Sequence, residues 1–254
     1  LNVGQADCAL LSTNGHYMVI DGGNNGDADT ILSYLEGQGV EKLDAVVEGI
    51  RERGGKAVGI VADVCSTEDT KRVFETALKE FGDVDILINN AGIGEQKIID
   101  ETDDDWMMYV MNTNLGGPIR YIREALKIFL PKNDGVIINV SSVNGTRPFC
   151  GAAYTSTKGA LNTLTKNVAI RLIDTNIRCN AVAPGATVTP AHLTNKAGEQ
   201  PGGAEMLKYS GHFVYFPGPE CDPMDQAYAC LYLASKMGCH VKGQVLQVCN
   251  GAFL

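Results

Sequence analysis

The sequence predicts an α/β fold: a mostly parallel sheet with helices on both faces. Three observations carry this. From residue 57 onward, short apolar runs alternate with longer amphipathic stretches. Four successive runs end in small or polar residues, Asp63, Asn90, Ser142 and Pro184-Gly185. In parallel sheets, ligands bind at such carboxyl ends. Finally, 254 residues with 44% hydrophobic and 20% charged content can bury one core without disulfide or metal staples.

The elements follow in order. Cys8–Leu11 and His16–Ile20 flank Asn14-Gly15, the signature of a tight hairpin. Residues 17–21 read as a buried strand, followed by a Gly/Asn-rich turn and a helix from about 29 to 35. Leu43, Val46, Val47 and Ile50 keep helical spacing, so 41–53 is a helix stopped by Gly54-Gly55. Residues 57–62 form a strand. Residues 67–81 form an amphipathic helix capped by Ser66 or Thr67. Residues 85–89 form a short apolar strand that runs into Asn90-Ala91-Gly92. A long helix over about 103–130 is interrupted near Gly116-Gly117-Pro118. Then come a strand over 135–140, a helix over 153–173 and a strand over 177–182. Residues 190–222, rich in Gly and Pro, are irregular; 225–235 is a helix and 243–248 a last strand.

Composition excludes several functions. The net charge of −9 argues against a nucleic-acid surface. No apolar run approaches the ~18 residues of a membrane span. The first residues carry neither a basic region nor a long apolar one, and the chain starts without Met, so we expect a fragment or a processed start in a cytoplasmic protein. None of the eight cysteines forms a CxxC pair, which fits small buried hydrophobes in a reducing compartment. The four histidines form no HxH or HExxH, and no metal site is expected.

Tyr154 and Lys158 are the most informative residues. Four positions is just over one helical turn, so phenol and ammonium share a face. A cation beside a phenol favours the phenolate. Such a Tyr can exchange a proton with a substrate oxygen, and Ser142, 12 residues earlier, can hydrogen-bond that oxygen. The plain alternative is a packed Tyr and a surface Lys. Asn114 alone reads rather as an Asn tolerated at a helix kink, and Asp63 equally as a turn residue before a helix.

These positions, with Asp63-Val64, the Asn89-Asn90-Ala91-Gly92 run, PGATVT at 184–189 and the closing KGQVLQVCNG, come in the order of the short-chain dehydrogenase/reductase family. From about residue 45 to the end, the chain resembles that family. The resemblance implies a Rossmann-like doubly wound sheet and an NAD(P)-dependent oxidoreductase acting on a secondary alcohol or ketone. It implies Tyr154 as general acid/base and Lys158 as the residue that lowers its pKa and holds the nicotinamide ribose. It places Ser142 on the substrate oxygen and Asn114 on a relay water. Ser142 is preferred to Ser141 because it stands three residues before Gly145. Asp63 and Val64 would flank the adenine, Asn90, Ala91 and Gly92 the adenosine ribose, and Pro184, Gly185, Thr187 and Thr189 the nicotinamide. NAD and NADP are not distinguished. A homodimer or tetramer is expected, and 190–222 would form the substrate lid, its Phe213, Tyr215 and Phe216 reading equally as an apolar substrate wall or as core or subunit contacts.

The opening departs from this pattern. The family's TGxxxGxG, which seats the pyrophosphate on a helix N-terminus, has as its nearest counterpart Asp21-Gly22-Gly23-Asn24-Asn25-Gly26-Asp27-Ala28. Asp21 and Asp27 add negative charge beside a pyrophosphate, which weakens binding. The second strand, whose end selects the cofactor, is missing. Residues 2–47 resemble instead the start of a metallo-β-lactamase-fold domain of competence proteins, without its metal-binding histidines. The expectation is one domain over 1–254, with an atypical segment over 1–47 and a dehydrogenase body over 48–254. Strand 17–21 would take the first-strand slot, with strand 8–11 antiparallel beside it. The alternative function is a catalytically impaired protein of the same fold, with weak or no cofactor binding, acting as an interaction or structural module.

Overall fold

The computed structural model describes residues 7–13, 16–22, 47–48, 50–52, 54–94, 97–188, 215 and 220–253. The strands among them are β1 (Asp7–Thr13), β2 (His16–Gly22), β3 (Lys56–Ile60), β4 (Ile86–Asn89), β5 (Val136–Val140), β6 (Arg178–Pro184) and β7 (Val245–Val248). The α-helices with described bounds are α1 (Thr67–Phe81), α2 (Asp104–Met111), α3 (Gly117–Lys132), α4 (Ala152–Arg171) and α5 (Pro223–Ala234); residues 47–48 and 50–52 are also helical. The sheet order is β3-β1-β2-β4-β5-β6-β7. The expected helix over 29–35 and most of the expected lid over 190–222 lie outside the described residues. Two compact units divide the chain. One holds Leu1–Ile93, Gly116–Ile137 and Thr175–Ile177; the other holds Gly94–Leu115, Ile138–Asp174 and Arg178–Leu254.

In the first unit the hairpin forms as its sequence predicts. β1 and β2 pair antiparallel, with Asp7 opposite Gly22 and Thr13 opposite His16. β2 runs parallel to β4, with Met18 opposite Ile86. The other edge of β1 pairs antiparallel with β3, Cys8 opposite Ile60. The missing second strand is therefore supplied from upstream: β1 fills the gap between β2 and β3 against the grain of the sheet.

α1 begins where Ser66 Oγ accepts the Asp69 N–H at 3.1 Å and ends at Gly82, whose φ of 87° suits glycine. It buries Val73, Phe74, Ala77 and Phe81 on one face. Phe74 meets Tyr121 of α3 at 5.8 Å between ring centroids. Burial of one such ring stabilises the fold by roughly 2 kcal/mol. Lys132 closes α3 by bridging Asp83 (3.0 Å) and Asp85 (2.8 Å) at the start of β4.

The second unit is built on β6 and α4. Cys179, Asn180, Ala181 and Val182 of β6 are fully buried. β6 pairs parallel with β7, Ala181 opposite Val245. Where β6 starts, buried Arg178 donates to the carbonyls of Leu233, Ala234 and Gly238, fastening the end of α5. On α4, Thr165 accepts a hydrogen bond from Asn139 Nδ2 of β5 at 2.9 Å.

The interruption between α2 and α3 falls slightly earlier than Gly116-Gly117-Pro118. It is a single π-helical turn over Asn112–Gly116. Pro118, having no N–H, cannot give the carbonyl of Asn114 its usual helical bond. Widened turns of this kind are frequent at functional sites.

Candidate active site

Four residues singled out from the sequence, Asn114, Ser142, Tyr154 and Lys158, lie in the second unit. Ser142 follows β5 and caps the short 3-10 turn Val143–Gly145. Tyr154 and Lys158 lie on the first two turns of α4, with Lys158 Nζ 5.6 Å from the centre of the Tyr154 ring. The Ser142 hydroxyl is hydrogen-bonded to the Tyr154 phenol. Its neighbour Ser141 is spent elsewhere, donating to the Lys158 carbonyl at 3.1 Å. Thr157 links the group to the π-turn: it donates to the Tyr154 carbonyl at 2.7 Å and accepts from Asn114 Nδ2 at 3.2 Å.

Electrostatics differ from the expectation in one respect. Lys158 was expected to lower the Tyr154 pKa. Burial instead dominates and pushes the phenol up to about 12; the Ser142 hydrogen bond pulls it down by less, and Cys150 raises it further. Burial also pulls Lys158 down to about 8. Its Nζ is inside the protein, 5% of the residue being exposed, and donates to the Val140 carbonyl at 2.9 Å.

Among the described residues no carboxylate pairs with Lys158, and a buried ammonium so placed is costly. It carries three donors, of which Val140 takes one. Such a group fits a ligand that brings hydroxyl oxygens, as a ribose does, so Lys158 and Tyr154 suit the ribose side of a nicotinamide nucleotide. Gly185 packs against the residues after β7: a Cβ there would fall 2.5 Å from Cβ of Cys249, so the chain tolerates no side chain at that point. Thr187 Oγ1 donates to the Gly185 carbonyl and accepts from Gln226 at 3.3 Å. Pro184 ends β6, and Thr189 lies outside the described residues.

In the first unit, Asn90 and Gly92 are exposed after β4 and Ala91 is buried. Asp63 shapes the turn after β3, accepting from Cys65 N–H at 2.8 Å, while its own N–H donates to Asp69. Val64 packs on Gly117 and is 1% exposed. Residues 23–28 of the expected phosphate loop lie outside the described residues.

One polar residue of the site escaped the sequence reading. Asn144, 5% exposed, ties the Ser142 turn to the segment entering α4. Its signal was only an Asn two positions after Ser142, a residue type common in turns.

Known proteins resemble this chain in sequence and in fold. The family model described as short chain dehydrogenase matches residues 28–200, reaching upstream of the resemblance read from residue 45. A 3beta-hydroxysteroid dehydrogenase of Mediterraneibacter gnavus is 34% identical over 227 residues, 83% of this chain and 81% of that protein. The 3beta-hydroxysteroid dehydrogenase 2 of Eggerthella lenta is 32% identical over 253 residues, 93% of this chain and 94% of that protein. Among solved structures, a 3-ketoacyl-(acyl-carrier-protein) reductase from Brucella melitensis, complexed with NADH, superposes with a TM-score of 0.66 at 30% identity. The match covers 76% of each chain. With two thirds of its length inside one family model and relatives above 30% identity along most of the rest, the chain belongs to the short-chain dehydrogenase family of oxidoreductases.

Proposed function

We propose that this protein interconverts a secondary alcohol and a ketone with a nicotinamide cofactor, using Tyr154 as the acid/base. The observation that carries the reading is the Ser142–Tyr154 hydrogen bond beside buried Lys158. The cofactor, when bound, gives or takes the hydride; the side chains manage the proton and hold the reactants. Tyr154, with its pKa near 12, is protonated at neutral pH, the state that can give a proton to a carbonyl oxygen. Ser142 hydrogen-bonds that oxygen and supports the charge it gathers. Lys158 holds ribose hydroxyls, and Asn114 orders water behind Lys158. The names of the relatives point to 3β-hydroxysteroids as the first alcohols to try and 3-ketoacyl thioesters as the second.

Titration with NADH and with NADPH, followed by nicotinamide fluorescence, tests the reading. Saturation by one of them is expected; no binding of either up to millimolar concentration overturns it. Tyr154→Phe should then abolish turnover and leave cofactor affinity nearly unchanged. Turnover retained in that variant removes the role given to Tyr154.

A further inference from the structure

Asn144 sets which way Ser142 can hydrogen-bond. It lies on the turn Val143–Gly145. Its Oδ1 accepts the backbone N–H groups of Phe149 (3.1 Å) and Cys150 (2.9 Å). Only the amide oxygen can accept two N–H donors, so these contacts fix which end of the side chain is nitrogen. The nitrogen, Nδ2, then donates to Ser142 Oγ at 3.3 Å. The backbone N–H of Asn144 donates to the same Oγ at 3.2 Å. A hydroxyl offers two acceptor positions and one proton. With Asn144 filling both positions, the remaining capacity of Ser142 is its own proton.

We propose that Asn144 is a positioning residue that holds Ser142 as an obligate donor toward the reacting substrate oxygen. This rests on the oxidoreductase reading above and adds a residue to it. During reduction the carbonyl carbon receives a hydride, the π pair moves to oxygen, and the Tyr154 phenol gives that oxygen its proton. The Ser142 proton stays on Ser142 throughout. A Ser142 free to rotate could instead accept the Tyr154 proton in a hydrogen bond, and so divert the donor from its target. Asn144 blocks that state. Both hydroxyls then aim their protons at one oxygen, where charge develops.

Asn144→Asp separates this role from a structural one. The carboxylate keeps acceptor oxygens for Phe149 and Cys150, but replaces the donor facing Ser142 with another acceptor. Ser142 is expected to turn its proton toward residue 144. With a 3β-hydroxysteroid as probe, and the matching 3-ketosteroid for the reverse direction, kcat should fall about 10–100-fold with cofactor KM unchanged. In a Ser142→Ala background the same change should lower kcat less than about two-fold, because the effect acts through Ser142. Lowering the pH until residue 144 is protonated restores a donor, so Asn144→Asp should recover activity relative to wild type in acid. Equal loss in both backgrounds, or no relative recovery in acid, overturns the proposal. Should Asn144→Asp fail to fold, Asn144→Ala enters the same double-mutant cycle without the acid arm: a loss that disappears in the Ser142→Ala background supports the proposal, and equal loss in both backgrounds overturns it. A wild-type protein that turns over neither the steroid pair nor a 3-ketoacyl thioester overturns the underlying reading, which is a different result from an active wild type with an additive cycle.

Discussion

Gly145 rests directly on the backbone of Lys158. A Cβ at Gly145 would lie 2.7 Å from the Lys158 carbonyl oxygen and 2.5 Å from Asn162 Nδ2. The carbonyl belongs to the middle of α4 and cannot move aside alone. Gly145 is thus the point at which the Ser142 turn is pressed onto the helix carrying Tyr154.

Gly145→Ala should therefore act on the site as well as on stability. The added methyl pushes the turn off α4 and lengthens the Ser142–Tyr154 hydrogen bond. A loss of about 1–3 kcal/mol of stability is expected from overpacking, with a drop in kcat/KM of at least about ten-fold. Denaturant unfolding and steady-state kinetics check it. A variant with wild-type kinetics would show that the turn has slack the close contact does not suggest.

Much of this fold was legible because its signals are local. Residues 67–81 carry a cap, an apolar stripe and a stop glycine within one stretch, and α1 has those bounds. The Tyr154–Lys158 spacing fixed a shared helix face, and both side chains are there. The hairpin at Asn14-Gly15 showed in its turn residues, and the pairing of β1 with β2 follows it. What stayed hidden depends on partners distant in sequence. Arg178 looks like any strand-edge cation until its acceptors, 55 to 60 residues away, are brought to it. The raised Tyr154 pKa was also out of reach, because spacing reports the neighbouring charge and not the loss of water around the phenol.

Lys158 should make the protein less stable at neutral pH than an apolar residue in its place. Its folded pKa of about 8 lies below the ordinary 10.5. Below about pH 8 both states hold the proton, and the folded state bears the whole cost of a buried cation. Between about 8 and 10.5 the unfolded chain keeps the proton while the folded chain releases it, so stability rises with pH. The span corresponds to roughly 3 kcal/mol, offset by the hydrogen bond to Val140. Lys158→Met should therefore be more stable than wild type at pH 7 by about 2 kcal/mol, and inactive. At pH 9.5 the gap should shrink by about 2 kcal/mol, leaving the two proteins nearly equal in stability. Urea unfolding at the two pH values measures it; a gap that holds constant or widens contradicts the assigned direction.

The phenol gives a second pH dependence, of opposite sign. Tyr154 titrates at about 12 in the folded state against an ordinary 10.0. Folded protein holds this proton more tightly, so its contribution to stability is complete below about pH 10 and is lost as pH rises toward 12. On the proposed role of Tyr154 as acid/base, the same shift favours reduction at neutral pH, since reduction would use the phenol and oxidation the phenolate. The rate of alcohol oxidation should climb with pH well past neutrality while ketone reduction stays flat. Profiles of kcat in both directions test this, and an oxidation rate that levels off below pH 7 would mean that a different group takes the proton.

Arg178 offers the strongest purely structural prediction. It is 7% exposed, and its guanidinium donates to the carbonyls of Leu233, Ala234, Ser235 and Gly238. These are the orphan acceptors at the end of α5 and the turn after it, where a cation also meets the negative end of the helix dipole. Arg178→Met keeps the aliphatic bulk and removes every donor at once. Each buried carbonyl left unmet costs about 1–3 kcal/mol before relaxation. A net loss of about 3–5 kcal/mol is expected, in line with removing one partner of a buried charged network. Arg178→Lys should recover less than half of it, because one ammonium cannot reach four carbonyls spread along a planar fork. Amide exchange should localise the damage to α5 and β7 and spare α1. Uniform loosening of both units would show that Arg178 supports the fold as a whole and not the end of one helix.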